Sequence, residues 1–539
     1  MGSFGIGSHG ILLVAMVAGA LATGARGAES VPSGSRGGPI KKQHLTSFPA
    51  ERSPEQTAED KRDLAAVQRY IPKLTHPRGD RWPILVWADT GTTPDHWQAW
   101  IERGVSPLFR EVSNTEQTRK AMAKLTYFSD HGVPLVILSQ GWVQRAFRTP
   151  PSGTGCDHLP PARPSHATVD EMEPNRDFTC PSWMYHNPAV AKHGESAVSV
   201  CEILKRNGIR PTSMWLDFES GAYLRNGAEN EERLQMALAE AQKCGRCAKR
   251  FGIAALSTPQ QYSAVVDAAR AHAQRVGFVD PVRSVFPDVA TGNFFAHPIR
   301  REPPVPGKYP AYGWNGSGFN VAQPRCYYIP GWRGAARDQR KMDWNVFYYC
   351  IEHFSSCARV LKPDEILVPW VGYVWSNRNA PKQAKRGYKI ASPHGYRELA
   401  IHMLLRGAET IAVFAPNRPG TTFTADFSSL ERAEMGPFIL NVLDLQQGYN
   451  EILAFNDFLR RGRVLNYDLG GEYSLLNADS IAWSGVGTDD MALVRTVSFH
   501  EDQEAIVTLF GKQIKLPFGT QGRFFWVRAD GTFEPTGLR

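Results

Sequence analysis

The residues best suited to chemistry stand together in one segment, Ser213-Met214-Trp215-Leu216-Asp217-Phe218-Glu219-Ser220-Gly221. Side chains alternate along an extended strand, so Met214, Leu216 and Phe218 share one face and Trp215, Asp217 and Glu219 the other. The first face is apolar and suits packing against helices. The second carries two carboxylates, about 6.5 Å apart between Cα atoms. Like charges at that spacing disfavour double ionisation, which raises one pKa so that its owner can act as an acid near neutral pH. Glycosidic cleavage needs such a pair: a proton for the leaving oxygen, and a negative or polar partner for the positive charge developing on the sugar. The competing role is a structural pair, neutralised by arginines or capping the next helix.

Other groups end apolar runs and are candidates for substrate contact. Asp89 ends the first, Gln140 and Trp142 the second, Asp288 follows Ser284–Phe286, Tyr373 and Trp375 follow Ile366–Trp370, and Asn417 and Arg418 follow the last. Asp89 or Asp288 would supply a second carboxylate for an ordinary two-carboxylate mechanism. Trp142, Tyr373 and Trp375 offer aromatic faces on which a sugar ring can stack. The histidines, including His96, His186, His297 and His394, show no HExxH and no paired ligand spacing, so no metal or other cofactor is expected. No Gly-x-Ser-x-Gly elbow supports a serine hydrolase.

What must position these groups is a repeating strand, loop, helix pattern between about residues 80 and 460. Strands are expected at Ile84–Trp87, Pro134–Leu138, Ser213–Leu216, Ser284–Phe286, Cys326–Ile329, Ile366–Trp370 and Thr410–Phe414. Helical stripes precede several of them and stop at glycine: Ala197, Val200, Cys201 and Leu204 before Gly208, Leu399 and Met403 before Gly407. Seven strands alternating with helices give an α/β fold, a (β/α)8 TIM-type barrel with one strand missed or a seven-stranded variant. An open doubly wound sheet is disfavoured, because Trp87-Ala88-Asp89-Thr90-Gly91 is no GxGxxG phosphate loop. In a barrel, the two carboxylates of the central segment point inward at a strand's C-terminal end, where barrel enzymes keep catalytic groups. Long insertions, 148–187 and 296–324, follow strands and would crown that same face. From 461 to 539 the texture changes to short alternating runs such as Ala505–Leu509 and Phe524–Val527 between Gly and Asp turns, the pattern of a small β-sandwich.

The 539 residues are 42% hydrophobic and 11% aromatic, which excludes wholesale disorder. The short apolar run Ile11–Leu21, followed by small residues, reads as a signal peptide over 1–27 with no Lys or Arg ahead of it. Residues 28–79 would form a leader and N-terminal segment. Secreted or periplasmic export is therefore expected, with no membrane span. The net charge of +8 comes without a dense basic run or nucleic-acid motif, so a carbohydrate partner is expected and nucleic acid is not. Asn315-Gly316-Ser317 matches a glycosylation sequon. Of the eight cysteines, Cys156 and Cys180 flank a Pro-rich stretch that a disulfide would clip. Cys244-x-x-Cys247 reads as core cysteine inside an amphipathic helix with Leu234, Leu238 and Ala241. Cys350 and Cys357 lie two helical turns, about 10 Å, apart, too far to bond.

The Asp217-x-Glu219 segment resembles the active-site strand of hyaluronidases and, more loosely, of other barrel hydrolases acting on N-acetylhexosamine sugars. Phe286-Pro287-Asp288 is similar to the Phe-Pro-Asp element of that family, and Pro324-Arg325-Cys326-Tyr327-Tyr328 to its following strand. The resemblance covers about a tenth of the chain. It implies a glycoside hydrolase in which Glu219 is the general acid, Asp217 orients the substrate acetamido group that acts as nucleophile, and Tyr327 or Tyr328 contacts that group. The chain departs from the family where Phe414 stands in place of a strand-8 tryptophan, and the family's cysteine framework is absent. A carbohydrate-binding barrel without catalysis is the alternative function. Peptide mapping under non-reducing conditions should recover a Cys156–Cys180 bridge and no Cys244–Cys247 bridge; a Cys244–Cys247 bridge would overturn the core-cysteine reading.

Overall fold

The computed structural model describes residues 54–87, 91–110, 112, 114–140, 181–217, 235, 238–239, 241–298, 313–327, 336–372, 387, 389, 391–414 and 430–536. All of them belong to one compact unit, residues 45–539.

Eight parallel strands make the core of that unit. They are β1 (Ile84–Val86), β2 (Val105–Pro107), β3 (Val136–Gln140), β4 (Ser213–Asp217) and β5 (Ala290–Asn293), followed by three more. β6 runs in two segments, Val321–Ala322 and Arg325–Tyr327; β7 likewise, Ile366–Leu367 and Trp370–Gly372; β8 is Ala412–Val413. Each pairs in parallel with the next. Ile84 is opposite Val105, Val136 opposite Ser213, Ser213 opposite Ala290, and Gly292 opposite Val321. Arg325 is opposite Trp370, and Trp370 opposite Ala412. A parallel bridge between Phe109 and Ile137 joins β2 to β3, and Leu85 opposite Ala412 joins β8 back to β1. The ring is closed, a (β/α)8 barrel with no free edge.

Of the seven expected strands, six are present in the barrel. Ser284–Phe286 is corrected. It ends a helical run of α5 (Pro259–Gln274), a π-turn (Arg275–Val279) and α6 (Asp280–Val285). Phe278, Val279, Val282 and Val285 recur at helical spacing and are all buried, which outweighs the local Val-Phe pair. The strands not foreseen are β2 and β5, Val-Ser-Pro and Ala-Thr-Gly-Asn. Neither contains an apolar run. In β5 the small residue is required: a Cβ on Gly292 would meet Gln323 Nε2 at 2.5 Å and Val321 O at 2.9 Å.

The remaining principal helices are α1 (Pro54–Tyr70), α2 (Pro94–Ile101), α3 (Thr115–Asp130), α4 (Pro188–Arg206), α7 (Gln339–Ala358), α8 (Pro393–Leu405), α9 (Leu430–Leu453) and α10 (Asn456–Arg461). Their starts are written in the sequence. Asn187, Thr258 and Ser392 each precede a proline and accept a backbone N–H from Ala189, Gln261 and Gly395. Gly208 and Gly407 follow α4 and α8 with φ of 73° and 98°, the left-handed stop expected of them. The Cys244-x-x-Cys247 pair is corrected in one respect. Cys244 breaks the helix as the N-cap of a new one, Gly245–Phe251, rather than lying inside a continuous helix. Both sulfurs are buried and neither is disulfide-bonded. Cys350 and Cys357 share α7, and Cys350 Sγ donates to Cys326 O at 3.1 Å. Cys156 and Cys180 lie outside the described residues.

Beyond α10, β9 (Arg463–Val464), β10 (Ile481–Gly487), β11 (Met491–Ser498), β14 (Arg523–Arg528) and β15 (Phe533–Pro535) form an antiparallel sheet in the order β9-β10-β11-β14-β15. The hairpin β12 (Gln503–Leu509) and β13 (Lys512–Phe518) covers it, sharing a core of Val494, Val507, Leu509, Leu516, Phe518 and Phe525. This is the small sandwich. A buried polar network fastens it to α8. Arg495 of β11 grips Glu398 with two hydrogen bonds, Nε to Oε2 at 3.0 Å and NH2 to Oε1. Arg406 Nε donates to Ser484 Oγ at 2.7 Å, so the serine's own proton is left for His402 Nδ1, also 2.7 Å away. That imidazole is neutral, because burial and then the charges of Arg406 and Arg495 hold its pKa well below the ordinary value. Removing one partner of a buried ion pair strands the other charge, at about 3–5 kcal/mol. Arg495→Met should therefore lower the urea midpoint sharply, and adding Glu398→Gln should restore much of the loss; equal midpoints for wild type and Arg495→Met would refute the clamp.

Candidate active site at the barrel mouth

Which way the β4 side chains face follows from their contacts. Met214 points outward, its sulfur 3.6 Å from Cys201 Sγ of α4. Trp215 points inward. Its ring is 6.0 Å from that of Trp370, on a strand that is not its neighbour, so the contact crosses the lumen. Asp217, two residues on, shares the inward face at the strand's C-terminal end and is half-buried. This is the alternation read from the sequence.

Above Trp215 the lumen is closed by aromatic rings from several strands. Trp87, which follows β1, lies 5.5 Å from Phe294 beyond β5, 5.7 Å from Trp370 of β7 and 5.8 Å from Phe414 beyond β8. Phe294 and Trp370 are 4.5 Å apart, edge to face. The Arg110 guanidinium, beyond β2, stands 5.3 Å from the Trp87 ring. At the other side Arg325 stands 5.4 Å from Phe295, whose ring is 3.8 Å from that of Phe294. The result is an aromatic strip across the barrel mouth, Trp87-Phe294-Phe295, with a guanidinium at each end. Phe295 adopts φ of 66°, a left-handed conformation costing a bulky residue about 1–3 kcal/mol and found preferentially at functional sites. His297, next along, accepts no proton near neutral pH: burial pushes its pKa down to about 4.

Of the residues expected to bind or react, Asp217 lies on the inward face at the mouth. Tyr327 closes the second segment of β6 opposite Gly372. Asp288 is corrected: it lies in the turn between α6 and β5, at the N-terminal end of the strand. There it pairs with Arg210 at 3.1 Å, and both side chains are exposed. The Phe-Pro-Asp resemblance therefore does not fall on a strand end. Glu219, Asp89, Trp142, Tyr328, Tyr373 and Trp375 lie outside the described residues. Sequence reasoning missed Trp87, Arg110 and Arg325 as mouth residues. Trp87 reads as part of an apolar run, although its place as the last residue of that run is the signal that it faces the mouth. Arg110 follows a strand with no apolar signature and left no such trace. Among the described residues no group of three or more His, Cys, Asp or Glu could hold a metal, and no helix is long and apolar enough to cross a membrane.

No family model and no curated protein matches the chain. Among solved structures it is similar to the cyclic α-maltosyl-(1→6)-maltose hydrolase of Arthrobacter globiformis, with 11% identity over 89% of this chain and 96% of that one and a TM-score of 0.39. It is similar also to the Nostoc punctiforme debranching enzyme, with 10% identity over 84% and 99% of the two chains and a TM-score of 0.39. Likeness at that level decides nothing about the chemistry, which rests on the chain's own residues.

Proposed function

We propose that the chain is an exported glycoside hydrolase cleaving a polysaccharide or oligosaccharide at the barrel mouth, with Glu219 as general acid and Asp217 as its partner. The observation that supports this most is the half-buried carboxylate of Asp217, inward-facing at the C-terminal end of β4, the same end of the barrel at which Trp87 and Phe294 meet. An aromatic floor suits the C–H face of a sugar.

In this reading the Glu219 carboxyl gives its proton to the glycosidic oxygen as the bond to the anomeric carbon breaks. The electron pair of that bond stays with the departing oxygen. On an N-acetylhexosamine, as the hyaluronidase resemblance implies, the substrate's own acetamido oxygen attacks the anomeric carbon, with Asp217 orienting the amide. Water then opens that intermediate and its proton returns to Glu219. On other sugars a second carboxylate is needed, and Asp89, which follows β1, is the candidate, since Asp288 sits at the opposite end of the barrel.

Glu219→Gln keeps shape and hydrogen bonding but removes the transferable proton, so the rate should fall at least about 100-fold on any glycan the wild type cleaves. Asp217→Asn should also lower the rate while leaving substrate binding in place, as seen in a KM changed less than kcat. A Glu219→Gln enzyme of undiminished rate would sink the assignment. A wild type that binds oligosaccharides but cleaves none would establish the alternative, a carbohydrate-binding barrel without catalysis.

A further inference from the structure

We propose that Trp87 is the sugar-stacking platform of the barrel mouth, the ring on which a pyranose unit of the ligand lies. The inference rests on the carbohydrate-directed reading above and deepens it by naming the surface that receives the sugar. Two observations carry it. The first is exposure. Inward tryptophans that only fill the lumen are sealed, as Trp215 and Trp370 are at 0% exposure, whereas Trp87 is only partly buried. The second is how the ring is held. Phe294, Trp370 and Phe414 meet it at interplanar angles of 57°, 61° and 58°, so none of the three is stacked parallel on the indole. Its backbone N–H donates to Val413 O at 2.9 Å, and the Arg110 guanidinium lies over one face of the ring, 5.3 Å from its centroid, so the sugar takes the opposite face.

An indole fixed in this way pays little conformational entropy when a ligand lands on it. A pyranose presents an apolar C–H face, whose hydrogens are slightly positive, and a rim of hydroxyls. The face complements the negative π-surface, and the rim meets polar groups such as Asp217 at the same end of the barrel. A tryptophan that served only as a lid on the lumen would affect stability alone.

The experiment is calorimetric titration of tetra- to hexasaccharides of several backbones, performed in the Glu219→Gln chain so that the ligand is not consumed. Trp87→Leu, which fills space without a π-face, should weaken binding about tenfold or more, whereas Trp87→Phe should stay within about threefold. Thermal unfolding of both is followed alongside. A folded Trp87→Leu that binds as tightly as its parent overturns the platform and leaves the carbohydrate reading standing. A parent that binds no saccharide overturns both. Should Trp87→Leu not fold, indole oxidation by N-bromosuccinimide with peptide mass mapping decides: a saturating saccharide slows oxidation at Trp87 if it is the platform, and an unchanged rate refutes it.

Discussion

A ring of eight parallel strands stands only if its inward side chains fill the space they enclose, and in this chain aromatic rings fill it. Trp215 and Trp370 meet edge to face across the lumen, and Phe294 packs on Trp370 from β5. Rings of that size leave less room elsewhere in the layer. The compensation is Gly292, where even a methyl group would collide with the Gln323 amide. Large and small residues are thus matched across the barrel, so substitution at any of these positions is felt by the others.

Filling a lumen with tryptophan imposes a second condition, because each indole N–H needs an acceptor once it is buried. Trp215 Nε1 donates to Ser213 Oγ at 2.7 Å, on its own strand and its own face. Trp370 Nε1 donates to Gln323 Oε1 at 2.8 Å, in the break between the two segments of β6. With those bonds made, both indole N–H groups of the lower lumen are satisfied. Polar groups with access to water stand in the upper layer. There stand Asp217, Arg110 and Arg325. The same packing that closes the barrel therefore decides where an ionised group can be used.

Much of this was legible in the sequence, and the gaps have physical causes. Alternation along Ser213–Asp217 gave the correct faces for Met214 and Trp215, since a strand buried on both sides leaves no other register. The barrel class followed from apolar runs, yet β2 and β5 escaped. Their sequences answer to a crowded lumen and a neighbouring strand, which only the folded state supplies. Ser284–Phe286 failed for the opposite reason. Three residues cannot show a period, and the buried set Phe278, Val279, Val282 and Val285 that settles the matter extends beyond them. Asp288 was misplaced along with that segment. Arg110 could not be found at all, because a cation gains its meaning from the ring beside it.

The two ends of the barrel then divide the work. β1 and β8 are short, so the seam where the ring closes is held at its N-terminal end by side chains. Arg81 donates to the carbonyls of Ala408 and Glu409, both at 3.0 Å, and to Asn456 Oδ1 at 2.8 Å. Trp82 N–H reaches Glu409 Oε1 at 2.9 Å, Thr410 Oγ1 donates to Pro83 O, and Arg460 binds Glu409 through both carboxylate oxygens. The Arg210–Asp288 pair lies at this end too. Every one of these charges is matched and answers a structural need. At the opposite end Phe295 holds a costly backbone angle, and Trp87 and Asp217 are only partly buried. Stability tolerates such features where something else uses them. In a barrel whose lower end is held by these paired charges, the upper end is where chemistry has room to act.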